Sequence, residues 1–268
     1  MRRRFIGAVF VKRIASRDNP LLKQLKKLSS SARERRKSRK TLLDGAHLVA
    51  AYLDRGGIPE WLAVADSALQ NTEIRELLAR IPESRLAVLE DRLFSELSTV
   101  ESATGISALI DIPAPPALLD TKFCVLLESV QDPGNLGSIL RSAAAAGCES
   151  AWLSPDCADV WSPKVLRAGM GAHFLLALLE QQDLVAMARH FSGTVLAASL
   201  QAENSLFQCD LSGNLALVVG NEGAGISAEL LAQASLRARI PMPGGTESLN
   251  VAAAAAICLF ERVRQNAQ

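Results

Sequence analysis

Apolar residues take two spacings along this chain, one helical and one extended. Over residues 19–28, Leu21, Leu22, Leu25 and Leu28 recur at helical intervals, which predicts an amphipathic helix. Short apolar runs at 41–43, 61–65, 85–89 and 106–110 read as strands. Between them, helices are predicted over 46–54 and 72–79, the second capped by Thr72 with Glu73 in its first turn, and a short helix capped by Asp91. Strand and helix in alternation predict a small α/β layer fold.

The pattern breaks at 111–116, DIPAPP, where three prolines stand in four positions. Proline neither continues a helix nor donates to a central sheet ladder, so the domain boundary is placed here: residues 1–112, a linker at 113–118, and residues 119–268. Alternation then resumes, with strands over 123–127, 151–153, 194–198, 215–219 and 238–240. Helices are expected over 136–146 (ended by Gly147), 164–169 and 183–190, one capped by Ser227, and a long one over 249–264. This is the signature of a mostly parallel sheet with helices on both faces, in which ligands sit beyond the carboxyl ends of the strands.

Composition adds limits. Hydrophobic residues make up 49% of the 268, enough for full cores, and aromatics only 4%, too few for a large base-stacking platform. The net charge of +1 hides an asymmetry: residues 1–40 hold 15 Lys and Arg against Asp18 and Glu34. A basic head on an acidic body points to a polyanionic partner, or else to a solvated basic helix. Cys124, Cys148, Cys157, Cys209 and Cys258 form no CxxC pair and read as buried free thiols of a reducing compartment. His47, His173 and His190 lack ligand spacing, so no metal site is expected. The basic and apolar start is interrupted by Lys12 and Arg13 and does not read as a signal peptide, and no apolar run approaches membrane length; the cytoplasm is the expected location.

Three loops carry candidate chemistry. The first, SVQDPGNLGSILRSAAAAG at 129–147, puts Asn135 just before a helix, where its side chain can cap, and Arg141 six residues on. The second, GNEGAGIS at 220–227, follows a strand and lets its backbone approach a ligand closely. It ends in no GK[ST], and Glu222 would repel phosphate, so a phosphate cradle is disfavoured. The third, IPMPGGTESLNVAAAAA at 240–256, sets Ser248 and Asn250 about Leu249 at the mouth of an Ala-rich helix.

DPGNLGSILRSA, GNEGAGIS and IPMPGGTESLNVA, in this order and spacing, closely resemble the three motifs of the SpoU/TrmH RNA methyltransferases of the SPOUT superfamily. SRDNPLLKQLKKL followed by LLDGAHLV is similar to the substrate-binding domain of ribosomal-RNA members, which resembles the RNA-binding ribosomal protein L30e.

The resemblance implies a C-terminal parallel-sheet domain with a deep trefoil knot, preceded by a smaller L30e-like α/β domain. It implies methyl transfer from S-adenosylmethionine to a ribose 2′-hydroxyl, with ribosomal RNA favoured over transfer RNA because of the N-terminal domain. It also implies a homodimer through the catalytic domain. Arg141, Asn135, Glu222, Ser248 and Asn250 match the family's active-site positions, and Gly220, Ile240, Met242 and Leu249 its cofactor-holding positions. Ala252 stands where many members have Ser. Three other readings remain open at this point: a transfer-RNA methyltransferase, an RNA- or ribosome-binding factor that has lost catalysis, and a nucleotide-binding α/β enzyme of another kind, which the Gly-rich loop alone supports.

Overall fold

A computed structural model describes residues 5–6, 9–10, 12–97, 104–114 and 121–267. Its contacts divide the chain into two compact units. One holds Met1–Ala114 together with Trp161–Phe174; the other holds Pro115–Val160 and Leu175–Gln268. Of the linker read at 113–118, residues 115–118 lie outside the described set. The segment Trp161–Phe174 packs with the first unit, although the sequence reading counted it with residues 119–268.

The first unit is built on a mixed five-stranded sheet. Its order is Lys12–Ile14, Leu86–Leu89, Trp61–Ala65, Ile106–Asp111, Lys40–Asp44. The Pro20–Ser30 helix starts at Asn19, whose side chain accepts from Leu21 N, and Pro20 supplies its first turn. Its buried Leu21, Leu22, Leu25 and Leu28 pack on Ile14, Leu42, Ala63, Leu89, Phe94 and Leu109. Each such leucine contributes roughly 1.5–3 kcal/mol by leaving water. The Pro163–Gly169 helix also belongs to this unit: Arg167 pairs with Asp44, and Thr41 Oγ1 donates to Trp161 O at 2.6 Å.

The second unit carries a seven-stranded sheet with every pair parallel. Its order is Ala177–Leu179, Ser150–Leu153, Phe123–Leu127, Leu215–Val219, Thr194–Ala198, Leu236–Arg239, Asn204–Ser205. From Phe123–Leu127 the chain builds outward on one side, then crosses and builds on the other. Leu215–Val219 fills the place between the halves, and the loops leaving these two central strands lie side by side. Both strands are buried along their whole length, as a sheet covered on both faces requires.

Several local expectations change. The first helix of the second unit runs Pro133–Ala145 and is capped by Asp132, whose side chain accepts from Asn135 N at 2.8 Å. Asn135 is therefore inside the first turn and does not cap it. Asn71 rather than Thr72 caps Thr72–Ala79. Asp91 is the first residue of its helix, and its carboxylate instead accepts from Ser67 N and Oγ at 3.0 and 2.7 Å. The last helix begins at Val251, capped by Asn250. The strand expected at 238–240 is Leu236–Arg239, which releases Ile240. The helix Ala32–Ser38 and the strands Lys12–Ile14, Ala177–Leu179 and Asn204–Ser205 were not anticipated.

Cys124, Cys148 and Cys258 are buried, whereas Cys157 and Cys209 are only half-buried, a correction to the expectation of five buried thiols. Burial pushes the thiols of Cys124 and Cys258 up to about 12 and that of Cys148 higher than its usual value. An aromatic disulfide reagent at pH 8 is expected to modify only Cys157 and Cys209 of the native protein, with the other three reacting after denaturation; counting released thiolate before and after denaturant checks this.

Candidate active site

Asp132 and Pro133 set the start of the Pro133–Ala145 helix, so the side chain of Asn135 is free to reach outward from its first turn. Asn135 Nδ2 donates to Glu222 Oε1 at 3.0 Å, and Asn135 Oδ1 accepts from Asn250 Nδ2 at 2.9 Å. Asn250 Oδ1 accepts from Ala252 N and Ala253 N at 2.9 and 3.3 Å, capping the Val251–Asn266 helix. The cap fixes which end of the Asn250 amide faces the helix. Its NH2 must then face Asn135, whose own NH2 must face the Glu222 carboxylate. Three side chains from three distant loops are thus orientated in series by one helix terminus.

Glu222 is held at the tip of a tight turn. Asn221 N and Gly225 N each donate to the other's carbonyl at 2.9 Å, and Asn221 Oδ1 accepts from Gly223 N and Ala224 N, also at 2.9 Å. A Cβ on Gly220 would lie 2.4 Å from Gly225 O and 2.6 Å from Ile226 N, so the turn closes only over a glycine. Asn221 Nδ2 donates to Ser129 O at 2.9 Å, tying this turn to the first loop; Ser129 there has φ 53, a left-handed conformation costly for a residue with a Cβ.

Beside the relay is a cavity of about 430 Å³. Gly220, Ile240, Met242 and Leu249 line it, as do Glu222, Ser248 and Asn250. Its walls also include residues that sequence reading missed, among them Ala198, Ser199, Leu200 and Ile226. The available signal for the first three was their place at the carboxyl end of the Thr194–Ala198 strand. Leu200 and Leu249 are exposed for apolar residues, at 57% and 38%, and stand at the cavity wall. Ser248 lines the cavity without a hydrogen bond among the described residues.

Arg141 stands apart from this cluster. It is exposed, does not line the cavity, and has no hydrogen-bond or ion-pair partner among the described residues. Six helical residues after Asn135 it points about 120° away around the axis, on the exposed stripe with Ser138. Glu128 was also missed: its carboxylate accepts from Ser227 N and Oγ, both at 2.7 Å.

An all-parallel sheet, a small-molecule cavity beyond the ends of its central strands and a polar relay at the cavity's edge define an α/β enzyme domain that takes a compact organic cofactor. The chain belongs to the SpoU rRNA methylase family, whose model matches residues 122–260. An MRM3-like substrate binding domain matches residues 19–108.

The chain is 35% identical over 263 residues to an uncharacterized tRNA/rRNA methyltransferase of Synechocystis sp., covering 94% of this chain and 93% of the relative. It is 32% identical over 252 residues to the 23S rRNA (guanosine(2553)-2′-O)-methyltransferase RlmP of Bacillus subtilis, covering 93% and 98%. Among solved structures, an RNA 2′-O ribose methyltransferase superposes with TM-score 0.82 at 30% identity, over 96% of this chain and 100% of that one. The AdoMet-bound rRNA methyltransferase of Sinorhizobium meliloti gives 0.81 at 28%, over 95% and 98%.

Gly220→Ala is expected to destabilise the protein by about 1–3 kcal/mol, because the new methyl meets backbone atoms that cannot step aside. Urea unfolding monitored by circular dichroism measures it; an unchanged midpoint would contradict the closure of this turn.

Proposed function

We propose that this chain transfers a methyl group from S-adenosylmethionine to a ribose 2′-hydroxyl of ribosomal RNA. The observation that carries the reading is the Asn250–Asn135–Glu222 relay at the wall of a cavity lined by Gly220, Ile240, Met242 and Leu249. The cavity's volume falls within the roughly 300–1,000 Å³ usual for small-molecule sites. Its walls fit the cofactor: Ile226, Leu249, Val251 and Ala254 offer apolar surface for a flat base, and the backbone of the 220–226 turn borders it.

S-adenosylmethionine, when bound, supplies an already activated methyl group. The protein's share is then orientation and the handling of one proton. Asn135 and Glu222 present a fixed amide oxygen and carboxylate where the ribose is to be orientated. A guanidinium is a planar fork of donors with no acceptor, so we assign Arg141 a clamp on the neighbouring phosphate and stabilisation of the developing alkoxide, in preference to a base. Its exposure and lack of an ion-pair partner among the described residues support that role. Ser248 and Asn250 shape the cofactor and ribose pocket.

The reading places RNA on the first unit. Much of the basic head is answered internally: Arg13 pairs with Asp66, Arg17 and Lys26 with Glu96, Lys23 with Asp18 and Lys40 with Glu60. Lys27, Arg33, Arg36 and Lys37 are exposed without such partners among the described residues, and the last three share one face of the Ala32–Ser38 helix. That cluster suits a phosphate backbone. The reading extends to a homodimer through the catalytic domain, supported by Ala253, Ile257 and 46%-exposed Phe260 in a stripe along Val251–Asn266. It extends also to the family's knot, supported by the interposed Leu215–Val219 strand and the packing of the last helix on Pro133–Ala145. Among the described residues no helix is long and apolar enough to cross a membrane. A cytoplasmic location completes the proposal, supported by the likeness to the Bacillus subtilis enzyme.

Calorimetric titration with S-adenosylmethionine tests the cofactor, and absence of binding would overturn the reading. Arg141→Ala is expected to lower RNA methylation by roughly 10²–10³-fold with cofactor affinity and melting temperature retained; unaltered turnover would remove its assigned role. Replacing Arg33, Arg36 and Lys37 together by Ala should reduce the slope of log RNA affinity against log salt by about 2–3, leaving cofactor affinity unchanged. Filter binding across a salt series reads this.

A further inference from the structure

Glu128 follows the central Phe123–Leu127 strand, is half-buried and does not line the cavity. It forms no ion pair among the described residues, so its charge is held by neutral donors alone. Ser227 gives it both: the backbone N–H to Oε2 and the hydroxyl to Oε1, each at 2.7 Å. With its proton committed to Glu128, the Ser227 oxygen turns its lone pairs toward Leu230 N, accepting at 3.3 Å and capping Ala228–Leu231. One carboxylate therefore fixes the end of the 220–227 turn and the start of the helix after it. The other end is fixed by sheet pairing, where Val219 registers with Leu127 and Glu128 N donates to Val219 O at 2.8 Å.

Between these two anchors lie Gly220, Asn221, Glu222, Gly225 and Ile226, all on the cavity wall. A short segment tied at both ends to the same neighbouring strand keeps its shape without a ligand, and a preformed site loses less ordering entropy on binding. We infer that Glu128 is a positioning residue that presets the 220–227 turn as a wall of the cofactor site. The inference rests on the function proposed above.

The chemistry of the pair makes the role specific. Two donors converge on one side chain, and only a carboxylate offers two acceptors and no donor. Glu128→Gln has nearly the same shape but turns an NH2 toward one of the Ser227 donors. It frees the end of the turn without opening a cavity.

The test measures cofactor binding by calorimetry and steady-state kinetics on the full chain with large-subunit rRNA from cells lacking the protein. Glu128→Gln is expected to raise the dissociation constant and KM for S-adenosylmethionine about tenfold or more, the loss carried by one charge-assisted hydrogen bond. At saturating cofactor, kcat should stay within about threefold on the same scale, and RNA affinity should be unchanged. Ser227→Ala, which keeps the backbone donor, should show a smaller shift in the same direction. The double variant should be no weaker than the weaker single one, because both remove the same contact. Glu128→Asp should restore part of the affinity.

A merely structural Glu128 would lower the melting temperature and leave cofactor affinity at 25 °C intact, and that result overturns the inference. Should Glu128→Gln fail to fold, Ser227→Ala decides alone, and unchanged cofactor affinity in it overturns the inference equally. Wild-type protein that binds no S-adenosylmethionine sinks the proposed function itself; wild type that binds, with Glu128→Gln binding equally tightly, sinks only the positioning role of Glu128.

Discussion

The site exists because Leu215–Val219 pairs in parallel with Phe123–Leu127 at the centre of the second sheet. That register, Val219 opposite Leu127, ends both strands at one level. It brings two loops 92 residues apart in sequence within hydrogen-bond reach, as Asn221 Nδ2 to Ser129 O at 2.9 Å shows. Parallel strands buried on both faces leave no freedom to slip: a one-residue shift would turn every side chain of a fully buried strand to the opposite face. The loops inherit that rigidity. A glycine with no room for a Cβ and a serine held in the left-handed region are tolerated because the sheet fixes where each loop must begin.

Capping residues then divide the work. A helix start has donors with no intrahelical partner, and an Asn in the first turn would ordinarily be drawn into satisfying them. Here Asp132 takes that task at the Pro133–Ala145 helix, so Asn135 keeps both ends of its amide for Glu222 and Asn250. At the other helix, Asn250 does both jobs at once, its oxygen capping and its nitrogen donating onward. The orientation of the whole relay follows from the polarity of the Val251–Asn266 helix. Its terminal N–H groups can only donate, and each amide in turn passes that constraint on.

How much of this could be read from the chain alone follows from the range of each interaction. Leu21, Leu22, Leu25 and Leu28 declared their helix because helical periodicity is local, and the strands at 61–65, 194–198 and 215–219 are continuous apolar runs. Gly220, Ile240, Met242 and Leu249 of the cavity wall lie in motifs that stood out, since glycines and prolines mark where backbone must bend, whereas Ala198, Ser199 and Leu200 lie in none. What escaped depends on choices between neighbours or on distant partners. Asn71 against Thr72, or Asp132 against Asn135, differ by which residue reaches the free N–H, and sequence offers both. Ala177–Leu179 is too short to show a period and is a strand only because Ser150–Leu153 is there to pair with it. Glu128 reads as the polar end of an apolar run until Ser227 is beside it.

The two loop carboxylates show what placement does to one chemical group. Glu222 is exposed at the tip of its turn and accepts one hydrogen bond among the described residues, from Asn135 Nδ2 at 3.0 Å, so most of its lone pairs stay open toward the cavity. Glu128 is half-buried and spends both oxygens on Ser227 at 2.7 Å, which leaves it little capacity for anything else. In the function proposed above, the shorter contacts belong to the group that holds the turn and the longer one to the group that faces the ribose. A charge-assisted bond is worth roughly 1.5–3 kcal/mol when both partners are held in place, and far less at an exposed tip where water competes. The half-buried carboxylate thus holds its partner more firmly, while the exposed one at the cavity wall stays free to exchange partners.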